Sequence, residues 1–335
     1  MFEMAQVEEG TVWYLAEGCT EGGFETFILV QNPAETPAQV TLTFMTGEGP
    51  QAGPSETLQP GTRRTWKAND YVTSWDVSTK VEADAPVIAE RAVYWDGRRG
   101  GHDSTGVTST ANVWYLAEGS TGGDFETWVL IQNPGEREAR VQITYQGSEG
   151  SIPGPELVVP AGSRKSINVA DTCPGWWDVS TKVMADAPVI AERAMYWSGR
   201  ADGHDCTGVT IPAKRWYLAE GSTGGDFETW VLIQNPGENP ANVKLTFQGS
   251  DGPHPGPELV VPAGSRKSIN VADTCPGFWD VSTLVEADAP VIAERAMYWG
   301  SREGGHDSSG VATPERAWYL AEGSTGGDFE TWVLI

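Results

Sequence analysis

The chain has 335 residues, with 22 Lys and Arg against 46 Asp and Glu, a formal net charge of −24. A surface this acidic repels phosphate backbones and anionic bilayers, which sets aside nucleic acid as a partner and reads most simply as solubility. No run of about 18 apolar residues occurs, so no membrane-spanning helix is expected. The 40 Gly and 22 Pro point to many turns between short strands, and the 15 Trp to large aromatic packing area.

Residues 1–12 form a lead. Its opening, MFEMAQVEEG, is acidic and has no apolar segment, so it does not read as a signal peptide; the expectation is that an export signal has been removed or that the chain is part of something longer. From Trp13 the sequence repeats. The phrase WYLAEG begins at Trp13, Trp114, Trp216 and Trp318, a period of 101–102 residues. Other phrases keep step: FETF/FETW at Phe24, Phe125, Phe227 and Phe329; QNP at Gln31, Gln132 and Gln234; DVST at Asp76, Asp178 and Asp280; APVIAERA at Ala85, Ala187 and Ala289; GHD at Gly101, Gly203 and Gly305. The expected domains are 13–113, 114–215 and 216–317, followed by the opening of a fourth repeat, 318–335, which matches 216–233 letter for letter.

Within the third repeat the elements follow in order. After a strand at Trp216–Glu220, Glu228–Gln234 is a β-rich run closed by the turn residues Asn235-Pro236-Gly237. Asn242–Gln248 alternates, with Val243, Leu245 and Phe247 on one face. Leu259–Val261 and Ser268–Val271 are short strands, the latter with Ile269 and Val271 inward; Trp279, Val281, Thr283 and Val285 alternate again. Asp288-Ala289-Pro290 reads as a turn before the apolar run Val291–Trp299. Seven strands in about 100 residues without a helical period predict an all-β fold of tandem immunoglobulin-like sandwiches, an architecture and not an ancestry, because the Cys…Trp…Cys pattern is absent.

These words resemble the WYLAEG…FETW…QNP…AERA repeats of large exported bacterial proteins. The resemblance covers the chain from Trp13 onward and implies a surface or secreted setting. It implies no activity and assigns no functional residue.

Four patterns carry side chains of chemical interest. His102, His204 and His306 each precede an Asp, which suggests a Ser-His-Asp relay, but sequence neighbours in a Gly-rich loop present that geometry poorly. The loop GSTGGDFE places Asp124, Glu126, Asp226, Glu228 and Asp328 where Ca²⁺ is conceivable, although the spacing of known calcium loops is missing and Gly23 stands where Asp124 does. In AERA, the pairs Glu90-Arg91, Glu192-Arg193 and Glu294-Arg295 put one charge toward the core or an interface, where it must be paired. Exposed Trp would stack on sugars; Trp114, Trp177 and Trp197 read as packed, and Trp128 and Trp176 as the exposed ones. Cys19, Cys173, Cys206 and Cys275 form no CxxC pairs and read as buried thiols, with no cofactor implied.

The expectation is therefore a non-enzymatic structural component of an extracellular filament, stalk or surface layer, whose partners are copies of itself. Residues Trp318, Tyr319, Leu320, Phe329, Trp332, Val333, Leu334 and Ile335 are the candidate assembly segment, able to complete a neighbour by strand addition. The alternative is a multivalent adhesin that binds glycans.

Overall fold

A computed structural model describes residues 10–327 and 329–335. The first repeat contains β1 (Gly10–Leu15), β2 (Glu25–Asn32), β3 (Ala38–Thr46), β4 (Gly49–Leu58), β5 (Thr62–Lys67), β6 (Ser78–Trp95) and β7 (Gly100–Thr105). The second contains β8 (Ala111–Leu116), β9 (Glu126–Asn133), β10 (Ala139–Gly147), β11 (Gly150–Val159), β12 (Ser163–Asn168), β13 (Ser180–Trp197) and β14 (Asp202–Thr207). The third contains β15 (Ala213–Leu218), β16 (Glu228–Asn235), β17 (Ala241–Gly249), β18 (Gly252–Val261), β19 (Ser265–Asn270), β20 (Val281–Trp299) and β21 (Gly304–Ser309). Each repeat is a curled antiparallel sandwich with strand order β4-β3-β6-β2-β5, and β1 and β7 both pair with β6.

The long strand is what makes the two layers one body. The first half of β6 pairs with β1 and β3, and the second half with β2 and β7. The expected turn at Asp288-Ala289-Pro290 is instead this change of partner inside one continuous strand. In β20, pairing with β17 ends at Ala287 and pairing with β16 starts at Ile292. Pro290 falls in the gap, where no ladder donor is required. The Asp288 carboxylate accepts the Asn242 N–H at 2.8 Å, replacing a ladder carbonyl, and Asp186 does the same for Arg140 at 2.8 Å.

The GHD phrase is a strand and not a loop. Its glycines leave room for aromatic rings of the neighbouring strand: a Cβ on Gly101, Gly203 or Gly305 would lie 2.6, 2.6 or 2.7 Å from the ring of Tyr94, Tyr196 or Tyr298. Two merged runs and one unrecognised strand leave the count at seven. The edge strand before Val261 starts at Gly252, well ahead of Leu259; Val271 opens a 3₁₀ turn; and Trp279 precedes β20.

Cores follow the alternation. Val243, Leu245 and Phe247 are buried, as are Val141, Ile143 and Tyr145 in the second repeat. Trp114 is pinned across the sandwich by its indole N–H on the Val189 carbonyl at 2.8 Å, and Trp13 and Trp216 repeat this at 2.8 and 2.9 Å. The QNP phrase works through its buried Asn: Asn133 Nδ2 donates to the Val159 carbonyl at 3.0 Å and to Arg137 O at 2.8 Å, while its Oδ1 accepts the Gly135 N–H at 3.0 Å. This fixes the β9–β10 turn to the end of β11.

Replacing Asn133 with Ala leaves the buried Val159 carbonyl without that donor. It is expected to lower stability by about 1–3 kcal/mol, read as a lower midpoint in denaturant unfolding; an unchanged midpoint would refute this role.

Candidate functional site at the joints between repeats

Period-two geometry sends Glu and Arg of AERA to opposite faces of the long strand. Both are buried, because each face meets a different neighbour. Glu192 looks back at the first repeat, where its two oxygens accept the Ala16 and Glu17 backbone N–H groups at 2.8 and 2.9 Å. Arg193 looks forward at the third repeat and pairs with Glu294 at 3.5 Å and with Asp307. The preceding joint is built alike: Arg91 donates to Glu192 at 2.7 Å and to Asp205, and its Nε lies 3.3 Å from Glu17. At the second joint Glu294 accepts the Ala117 and Glu118 N–H groups at 2.9 and 2.8 Å. Arg91, Arg193, Glu192 and Glu294 are all essentially inaccessible to water.

A second arginine reinforces each joint. Arg164 donates to the Gly18 and Val77 carbonyls at 2.6 and 3.1 Å, and Arg266 to Gly119 and Val179 at 2.7 and 2.8 Å. An aromatic collar surrounds them. Trp95 donates its indole N–H to the Arg200 carbonyl, and Trp197 to that of Arg302, both at 2.7 Å. Those carbonyls sit on hairpin tips where Arg200 and Arg302, like Arg98 in the first repeat, hold positive φ (66°, 68° and 69°), a conformation costly outside glycine. Ala16 is buried in the core of the second repeat, and Ala117 in that of the third.

The histidines belong to the same joints. His102 lies 3.7 Å from Asp205 of the next repeat, and His204 lies 3.1 Å from Asp307. Their Nε2 atoms face the Tyr196 and Tyr298 hydroxyls at 3.4 and 3.2 Å. Burial, with the Arg91 charge adding to it, holds His102 well below the usual histidine range, so the ring is neutral. Burial raises Glu17 and Asp205 although Arg91 opposes the shift. Glu17, His102 and Asp205 bring donor atoms within 4.8 Å of one another, a spacing a metal ion could bridge. The Arg91 guanidinium already contacts both carboxylates and supplies a cation there.

The acidic loop has a different task. Asp124 accepts the Ser198 N–H at 2.9 Å and Glu126 the Arg200 guanidinium at 2.7 Å; Asp226 and Glu228 repeat this with Gly300 and Arg302 at 3.0 and 2.8 Å. These carboxylates hold the hairpin tips. Asp328 lies outside the described residues. The four thiols are buried and unpaired, and burial pushes Cys19 up to about 12.

The reading of the tryptophans is corrected. Trp177 is not packed: it is 62% exposed, and Trp75 and Trp279 are 55% and 65% exposed at the same place in their repeats. Each lies against a Gly-Gly loop, since a Cβ on Gly22, Gly122 or Gly224 would clash with the ring, and turns its other face to solvent. Trp128 and Trp176 are half-buried. The described residues of 318–335 form no strand. Of its eight candidate assembly residues, Tyr319 packs on the core of the first repeat and Phe329 lies 6.2 Å from Tyr94. Trp318, Leu320, Trp332, Val333, Leu334 and Ile335 are exposed.

The glutamate and arginine were legible in the sequence as charges needing partners. Arg164 and Arg266 were missed, although the phrase SRKS repeats at Ser163 and Ser265; an arginine on an alternating strand gives no sign that it faces another repeat.

Arg193→Met is expected to cost about 3–5 kcal/mol, because it strands Glu294 and Asp307 inside the joint, whereas Arg302→Met, on a half-exposed pair with Glu228, is expected to cost less than about 1 kcal/mol. Chemical denaturation of both variants checks this, and equal costs would contradict it.

A family model described as a family of unknown function, DUF5719, matches residues 189–294. No curated protein matches the chain. Among solved structures, the chain is similar to Thermotoga maritima 1070, with 16% identity over 30% of this chain and 96% of that one and a TM-score of 0.29. It is also similar to the Anabaena sensory rhodopsin transducer, with 27% identity over 26% of this chain and 98% of that one and a TM-score of 0.23.

Proposed function

We propose that the chain is a non-catalytic structural component of a filament, stalk or surface layer outside the cell, in which repetition of one rigid joint orders the repeats. The observation that carries this reading is the use of the chemically capable side chains. His102, His204, Asp205, Asp307, Arg91, Glu192, Arg193 and Glu294 meet each other across joints, buried, rather than lining an open cleft. Groups so placed fix orientation between repeats. The resemblance of the repeat phrases to exported bacterial proteins supports the setting, and the acidic surface suits a soluble face in solvent. Strand addition is not the mode this geometry favours, because no described residue of 318–335 enters a sheet and Tyr319, Ala321 and Gly323 contact the first repeat of the same chain.

A second reading has a specific observation behind it. Trp75, Trp177 and Trp279 form one exposed aromatic shelf per repeat, and an indole face of this kind stacks on the apolar face of a sugar ring. Three weak sites on a rigid frame would act by avidity.

Immunogold labelling of producing cells, with electron microscopy of the labelled material, is expected to place the chain in ordered extracellular assemblies; label confined to the cytosol would overturn the structural reading. A glycan array read with the native chain and the Trp75→Ala, Trp177→Ala, Trp279→Ala triple variant decides the second: binding lost in the triple variant favours an adhesin, and no signal from either removes it.

A further inference from the structure

The joints obey one rule. The glutamate of repeat n+1 takes the two N–H groups after the leucine of WYLAEG in repeat n, and the alanine of that phrase enters the core of repeat n+1. Glu192 takes Ala16 and Glu17, and Ala16 joins the second core. Glu294 takes Ala117 and Glu118, and Ala117 joins the third core.

The fourth WYLAEG is at Trp318, so its amides should meet the glutamate of a fifth repeat. They meet Glu90 of the first. Ala321 N–H donates to Glu90 at 3.0 Å, and the Glu322 N–H donates to its other oxygen. Ala321 is 2% exposed and belongs to the first core. Arg63, which occupies in the first repeat the place of Arg164 and Arg266, donates to the Gly323 carbonyl at 3.2 Å, as those donate to Gly18 and Gly119. Position five therefore coincides with position one.

The far side of the third repeat carries the complementary face, open. Ala16 and Ala117 are fully buried, while Ala219 is exposed. The His204 side chain is 1% exposed, while that of His306 is 42% exposed. Trp95 and Trp197 are buried, while Trp299 is half-exposed. Among the described residues, the Ala219 and Glu220 amides have no carboxylate. On the first repeat, Asp103 is exposed where Asp205 and Asp307 each receive an arginine from the preceding repeat. At the centre, β14 lies between β7 and β21.

We infer that the repeats close into a four-membered ring, in which the open face of the third repeat is the seat of a fourth repeat that begins at Trp318. A fourth repeat built on the same plan would put its AERA glutamate on the Ala219 and Glu220 N–H groups and its AERA arginine on Asp103 and Glu90. A heterologous contact that closes gives a ring, and one that does not gives a fibre.

Residue-resolved hydrogen exchange on the 335-residue chain tests the receiving face. The Ala321 and Glu322 amides are expected to exchange slowly and to speed up by about tenfold or more in Glu90→Gln, with Ala16 and Glu17 unchanged; free exchange of Ala321 and Glu322 in the native chain would overturn the closure. The second arm extends the chain past Ile335 with a copy of residues 234–317, which completes a fourth repeat. The Ala219 and Glu220 amides are then expected to become as protected as Ala117 and Glu118. A folded fourth repeat that leaves Ala219 and Glu220 unprotected overturns the ring, and so does a fourth repeat that stays unfolded on three intact ones.

Discussion

The structure depends on one dipeptide. Glu and Arg adjacent on a strand cannot face the same way, so a strand buried on both faces carries one charge toward each neighbour. Every AERA thus makes two half-joints, an anionic one behind and a cationic one ahead. Each half is incomplete alone. A bare buried carboxylate or guanidinium is heavily penalised, and the penalty is relieved only when the next repeat brings its counterpart together with two backbone N–H groups and a second carboxylate. The buried pair therefore specifies register between repeats more than it adds stability, because a hydrophobic pair of the same shape would tolerate sliding and this one does not.

Around this constraint the rest is placed. The long strand must run through both layers to carry AERA at its centre, which explains why the proline of APVIAERA sits at the change of partners and not at a turn. The hairpin tip after that strand is held in left-handed backbone by its own acidic loop so that one carbonyl meets the tryptophan of the preceding repeat. The GHD strand brings its Asp to the arginine of the preceding repeat. The sensitive chemistry of the joints, His102, His204 and a set of buried acids, is thereby turned to geometry.

Much of the fold was legible. Alternation at Val243, Leu245 and Phe247, turn residues at QNP and the strict 101–102 residue period gave the strand class and its repetition. The sequence also showed that the AERA charges needed partners, because burial of either without one is too costly. What alternation could not show was which repeat supplies the partner, since long-range pairing leaves no local mark. GHD was misread because its glycines signal close packing against Tyr94, Tyr196 and Tyr298 as readily as a loop. Trp177 was misread for the converse reason: an aromatic beside a strand is usually core, and only the three-dimensional position of the Gly-Gly loop leaves one face of it in water. The segment 318–335 looked like an unsatisfied strand, yet its contacts with the first repeat run through Ala321, Glu322 and Gly323, a backbone motif and not its apolar run.

The most direct test of the joint is a double-mutant cycle on Arg193 and Glu294, using Arg193→Met, Glu294→Leu and the pair, with stability read by chemical denaturation. If the two charges are one device spanning two repeats, the paired variant recovers much of the loss, and the coupling energy is about 2 kcal/mol or more. Additivity within about 0.5 kcal/mol would mean that the two residues act separately, and the account of the joint would fail.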